Sequence, residues 1–127
     1  MDLESTIVAI SSAHGNSMRG LLRISGPSAM KGSKSLGLSL TFGHVHTQHL
    51  QLGKNKLPVL VGAFKKNASY TGDDLVEIQF TGNPMLATRL VRLFIDATCG
   101  REATAGEFTA RAFFSGRISL AQAEGVS

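Results

Sequence analysis

The chain has 127 residues, 43% of them hydrophobic and 17% charged, with a formal net charge of +4. That is the size and balance of one ordinary globular domain able to bury a core. No apolar run approaches the roughly 20 residues that cross a bilayer, and MDLESTIVAI lacks the basic, apolar and small-residue order of an export signal, so a cytoplasmic setting without a membrane is expected.

In chain order, Ser5–Ser12 (STIVAISS) is β-branched and apolar and predicts a strand. AHGNSMRG reads as a loop, and Leu21–Ser25 (LLRIS) as a second strand. Pro27 stands where a helix can start, and Gly32 weakens that helix. GLSLTFGHVHTQHLQL alternates well enough for one or two strands, GKNKLP supplies a hairpin-like break, and VLVGAFKK follows. A turn at SYTGDD then leads into the strand LVEIQF.

NPMLATRLVRLFIDATCG is the clearest helix: Asn83 can cap it, Pro84 fits its first position, and Gly100 fits beyond its end. Leu86, Leu90, Leu93, Phe94 and Ala97 form its apolar stripe. AGEFTARAFFSGR is a shorter helical piece, in which Glu107 and Arg111 have the i,i+4 spacing of an ion pair. Ser119 and Gln122 have capping-box spacing, so a new helix opens there and stops after about two turns, too few to be stable alone. The chain therefore divides into a domain over 1–118 and the start of a truncated helical domain over 119–127. Strands come first, mix with helices and are joined by short turns, which favours an α+β fold with a mixed or antiparallel sheet and packed helices.

Several chemistries find no support. GKNK and KGSKS lack phosphate-loop spacing, and GNSMRG is not a dinucleotide fingerprint. His44, His46 and His49 lie close together, but no cysteine or acid neighbours them, and an exposed strand face accounts for them better than a metal. The single cysteine, Cys99, excludes an internal disulfide and reads as a buried or half-buried structural thiol, with no base nearby to activate it. The basic residues spread from Arg19 to Arg117 without a block, which permits an anionic ligand or RNA and establishes neither.

Strand parity is more informative. Leu22 and Ile24 share one face of LLRIS, while Leu21, Arg23 and Ser25 share the other; Val76, Ile78 and Phe80 share one face of LVEIQF, while Leu75, Glu77 and Gln79 share the other. A lone acid in such a run needs a partner. If the two polar faces look the same way, Arg23 and Glu77 lie beside one surface. Parity alone most economically makes them a structural pair. The alternative is a pocket, because a carboxylate can accept two parallel N–H bonds from a pterin- or guanine-like edge while an arginine meets an anionic or carbonyl acceptor.

TIVAISS…GLLRISGP, SYTGDDLVEIQFTGNP and AGEFTARAFFSGRISLAQAEGV occur in that order from Thr6 to Val126. Together they resemble the N-terminal domain of the tRNA uridine-modification GTPase family, the MnmE or TrmE type. The resemblance implies a domain like the tetrahydrofolate-binding domains of one-carbon transfer enzymes, forming a homodimer with 5-formyl- or methylenetetrahydrofolate at the interface. It further implies a full-length enzyme with a helical domain, a G domain using GTP, Mg2+ and K+, and a C-terminal cysteine motif. With a flavin-dependent partner protein, such an enzyme modifies the wobble uridine of tRNA, the folate supplying the one-carbon unit. A fragment without the G domain and that cysteine is not expected to be catalytic.

Carried over by motif, the implied folate contacts are Arg23 in LLRISG, Glu77 in DLVEIQ and Arg117 in SGRISLAQAE, the last standing where the family usually has lysine. The sequence also departs from the family's pattern. AHGNSMRG replaces a Gly-rich loop, FTGN (80–83) replaces GHGG, and Ala105 replaces the proline of PGEF. These departures motivate two other readings: a structural dimerisation domain whose folate site has decayed and, from the basic charge, an RNA-contacting module.

Overall fold

A computed structural model describes residues 2–13, 18–66, 69 and 71–116. Within them the chain runs β1 (Ile7–Ala13), β2 (Met18–Ser25), α1 (Ala29–Ser35), β3 (Val45–Leu52), β4 (Asn55–Phe64), β5 (Leu75–Gly82), α2 (Pro84–Thr98), β6 (Arg101–Glu102) and α3 (Glu107–Phe114). Among the described residues the strands form one six-stranded sheet in the order β3-β4-β5-β2-β1-β6. Its neighbours are antiparallel except for β1 and β6, which are parallel. The expected α+β class with a mixed sheet is what the chain adopts.

Parity places the core. Leu22 and Ile24 of β2 and Val76, Ile78 and Phe80 of β5 sit on the face that packs with Leu90 and Phe94 of α2 in the main hydrophobic cluster. Leu90 and Phe94 are fully buried, and each such side chain stabilises the fold by about 1.5–3 kcal/mol relative to exposure. The α2 start is as expected: Pro84 is its first residue, and the Asn83 side chain accepts from Leu86 N–H at 2.9 Å. Its buried stripe runs through Ala87, Leu90, Val91, Phe94 and Thr98, so Leu86, Leu93 and Ala97 of the expected stripe lie at its half-buried margin.

Five local expectations change. Gly32 does not merely weaken α1: a Cβ there would lie 2.4 Å from Thr98 Cγ2, so its missing side chain lets α1 and α2 close together. At the end of α2, the left-handed residue is Cys99 (φ 53°), whereas Gly100 serves a close approach, its added Cβ falling 2.4 Å from Thr6 O. Cys99 is exposed, not buried, because that left-handed cap follows the last helical turn and turns away from the core. β2 begins at Met18, so Arg19 and Gly20 belong to a strand rather than a loop. The two-residue β6 had no readable period and exists through its pairing with Ile7 and Val8.

Helices α1 and α2 cover one face of the sheet. Among the described residues the other face is closed at one end, where α3 sits. Ile7, Leu75 and Ala112 are buried there, outside the main cluster, and a Cβ on Gly72 would lie 2.4 Å from Ser115 Cβ. Among the described residues the remainder of that face stays open, and the polar parity of β2 and β5 points onto it.

Candidate ligand-binding site on the open sheet face

The strand registers arrange the open face in rows. One row reads Ala9, Arg23, Glu77, Gly62 and Val45 across β1, β2, β5, β4 and β3. Arg23 and Glu77 are direct cross-strand partners, and Arg23 Nε donates to Glu77 Oε2 at 3.0 Å. Their side chains remain 43% and 26% exposed. Ala9 beside Arg23 and Gly62 beside Glu77 add little or no side chain of their own, while Val45 and the Phe64 ring reach over Gly62. Among the described residues, Glu77 Oε1 and the two terminal amino groups of Arg23 have no hydrogen-bond partner. They are therefore open to a ligand.

The next row is Ser11, Leu21, Gln79, Leu60 and Thr47, and it floors a cavity of about 800 Å3. That volume falls in the range of small-molecule sites, about 300–1,000 Å3. The cavity starts two residues along the strands from the Arg23–Glu77 row, about 6–7 Å away. FTGN bears on it unevenly. Phe80 lies in the core with its ring over Gly20, Asn83 caps α2, and Thr81 borders the cavity.

Of the residues implied to touch folate, Arg23 and Glu77 are brought together, and Arg117 lies outside the described residues, as do Ser119 and Gln122. The histidine group separates: His44 precedes β3, His46 is paired with Val61 on the helix side, and His49 is paired with Pro58 on the open side. Among the described residues no three His, Cys, Asp or Glu side chains form a metal cluster.

A second ionic site lies at the closed end. Glu107 and Arg111 do pair at i,i+4 spacing, Arg111 Nη2 to Glu107 Oε2 at 3.3 Å, and both are buried. Arg101 grips the same carboxylate through Nη1 at 2.8 Å and Nη2 at 2.6 Å, and Thr104 N–H donates to it at 3.0 Å. Arg111 also donates to Ser5 O at 2.8 Å and to Asp73 at 3.3 Å. The Arg101 guanidinium holds the Glu107 carboxyl down at about 2, with burial opposing and the Thr104 N–H assisting. In return Glu107 raises Arg101. The Asp2 carboxyl, bonded first by the Ser5 hydroxyl and then by the Glu4 and Ser5 amides, is also lowered to about 2.

Sequence spacing gave the Glu107–Arg111 pair but missed Arg101 and Asp73, which reach it only through tertiary structure. It also missed Arg19 and His49, which border the cavity. Extending the period-2 pattern of LLRIS back to Met18 would have put Arg19 on the same face as Arg23.

A one-sided sheet with helices behind it and a paired charge beside an open cavity defines an α+β domain. Residues 6–117 match the family described as the N-terminus of the GTP-binding protein TrmE. The chain is 41% identical over 136 residues to the tRNA modification GTPase MnmE of Koribacter versatilis, covering 99% of this chain and 30% of that protein. It is 38% identical over 133 residues to the protein of the same name from Flavobacterium johnsoniae, with 98% and 28% covered. A third, from Francisella tularensis subsp. holarctica, is 38% identical over 134 residues, with 100% and 28% covered. The chain belongs to the TrmE N-terminal family, and it spans less than a third of the length of these relatives.

Proposed function

We propose that this chain is the tetrahydrofolate-binding and homodimerisation domain of a GTPase that modifies the wobble uridine of tRNA. The observation that carries the reading is the half-exposed Arg23–Glu77 pair on a sheet face left open among the described residues, one row from a cavity of about 800 Å3. The donor set fits a reduced folate. Glu77, with Oε1 open, can accept from the amino-pyrimidine edge of a pterin, and the terminal amino groups of Arg23 can meet a carbonyl or carboxylate oxygen. Arg117 is the third proposed contact, on motif alone. When bound, 5-formyl- or methylenetetrahydrofolate supplies a one-carbon unit; the residues of this chain bind and orient it.

GTP, Mg2+ and K+ belong to the proposed full-length enzyme, together with tRNA and a flavin-dependent partner protein. A cytoplasmic location accords with those partners; among the described residues no helix is long and apolar enough to cross a membrane. Titration calorimetry with 5-formyltetrahydrofolate, paired with a mass measurement in solution, tests the reading. Glu77→Ala should abolish binding while leaving the circular dichroism of the domain intact, and unchanged affinity would refute the assignment. One observation favours a second reading: Arg23 Nε is already bonded to Glu77. A dimer that binds no folate would establish a structural dimerisation domain instead.

A further inference from the structure

The far rim of the cavity carries charge that the pterin contacts do not use. Among its described lining residues, Arg19 and His49 are the only charged or titratable side chains. No carboxylate answers them among those described residues. On β1, β2, β5, β4 and β3 the open-face rows from Arg23–Glu77 to this rim contain one acid, Glu77, and Arg23 is already bonded to it. Arg19 is exposed and has no hydrogen-bond or ion-pair partner among the described residues. It also falls in AHGNSMRG, where this sequence departs from the Gly-rich pattern of the family it resembles.

The spacing says what kind of ligand end this rim suits. Arg19 stands four residues before Arg23 on the same face of β2, about 13 Å away. A ligand with its heterocycle at Glu77 needs an extended body to reach it, and an aminobenzoyl-glutamate has that form. Across the strands, Arg19 faces Thr81, and Pro58 faces His49. Arg19 and His49 thus both line the cavity from β2 and β3, three strand spacings or about 14 Å apart. One carboxylate cannot touch both. A string of carboxylates can, lying over the uncharged floor between them.

We infer that the Arg19–His49 rim is a subsite for a polyanionic tail and that this domain selects poly-γ-glutamylated over monoglutamylated folate. The inference rests on the folate reading above. Arg19 makes the stronger contact, as a planar fork matched to a carboxylate, and His49 adds an N–H donor further along the tail.

The test compares 5-formyltetrahydrofolate carrying one glutamate with the same folate carrying three, by calorimetry on the whole chain. The wild type should bind the triglutamate about tenfold tighter, the scale of one charge-assisted hydrogen bond. Arg19→Ala should bring that ratio to within about twofold, Arg19→Lys should keep part of it, and His49→Ala should lower it less. The preference should also shrink as salt is raised. A wild-type ratio near one, or a ratio unchanged in Arg19→Ala, overturns the inference. If the monoglutamate still binds in that case and Glu77→Ala still abolishes it, the folate reading stands and the tail subsite alone falls. If neither folate binds, both fall together.

Discussion

Arg23–Glu77 and Arg111–Glu107 bring the same two side chains together in surroundings that differ in almost every other respect. The first is a single 3.0 Å contact in the middle of an open sheet face, with the small residues Ala9 and Gly62 beside it in the row. The second is 2% and 4% exposed and lies within a lattice of bonds to Arg101, Thr104, Asp73 and Ser5. A charge pair removed from water is held by every bond that replaces its hydration, and losing one partner strands the other. A pair left half in water loses little when broken and keeps valences free for a ligand. Burial, rather than residue type, separates the two.

The largest effect should come from breaking the buried pair. Arg111→Ala removes the tie from α3 to Ser5 and Asp73 and leaves Glu107 dependent on Arg101. A loss of about 3–5 kcal/mol is expected in urea unfolding, and a loss below about 1 kcal/mol would erase the contrast. Acid should act on the same group. The Glu107 carboxyl is lowered from an ordinary 4.5 to about 2. Its contribution is therefore complete above pH 4.5 and fades as pH falls through about 2, amounting to about 3 kcal/mol. Glu107→Gln should flatten the stability–pH curve in that window. Some slope should remain, because Asp2 is lowered to about 2 as well.

The sequence made one of these pairs more legible than the other, for physical reasons. Side chains alternate along a strand, so Arg23 and Glu77 could be assigned to polar faces without coordinates. Whether those faces coincide depends on the β2–β5 register, which supplied the direct partnership. Spacing on a helix likewise gave Glu107–Arg111, since i,i+4 is local. Arg101 and Asp73 could not be read, because a two-residue strand and a turn carry no period. Arg19 was hidden for another reason: a glycine stands between it and the apolar run and reads as part of a loop. In the strand, that glycine makes room for the Phe80 ring.

Smaller effects should follow on the open face. Glu77→Ala is expected to cost at most about 1 kcal/mol of stability in urea unfolding. Folate affinity should nevertheless disappear, which inverts the profile expected of Arg111→Ala.

The smallest effect is the most discriminating. In a double-mutant cycle with Arg23→Ala and Glu77→Ala, the coupling energy should be about 0.5 kcal/mol or less, because one part-exposed contact exchanges for water on both sides. A coupling of several kcal/mol would mean that Arg23 and Glu77 are committed to each other, as Arg111 and Glu107 are. Glu77 could then accept from a ligand only by giving up a bond that holds the sheet. A small coupling leaves Arg23 free to swing its fork toward an acceptor while Glu77 Oε1 takes an N–H. That freedom is what the proposed folate contacts need, and the small side chain of Ala9 beside Arg23 permits it.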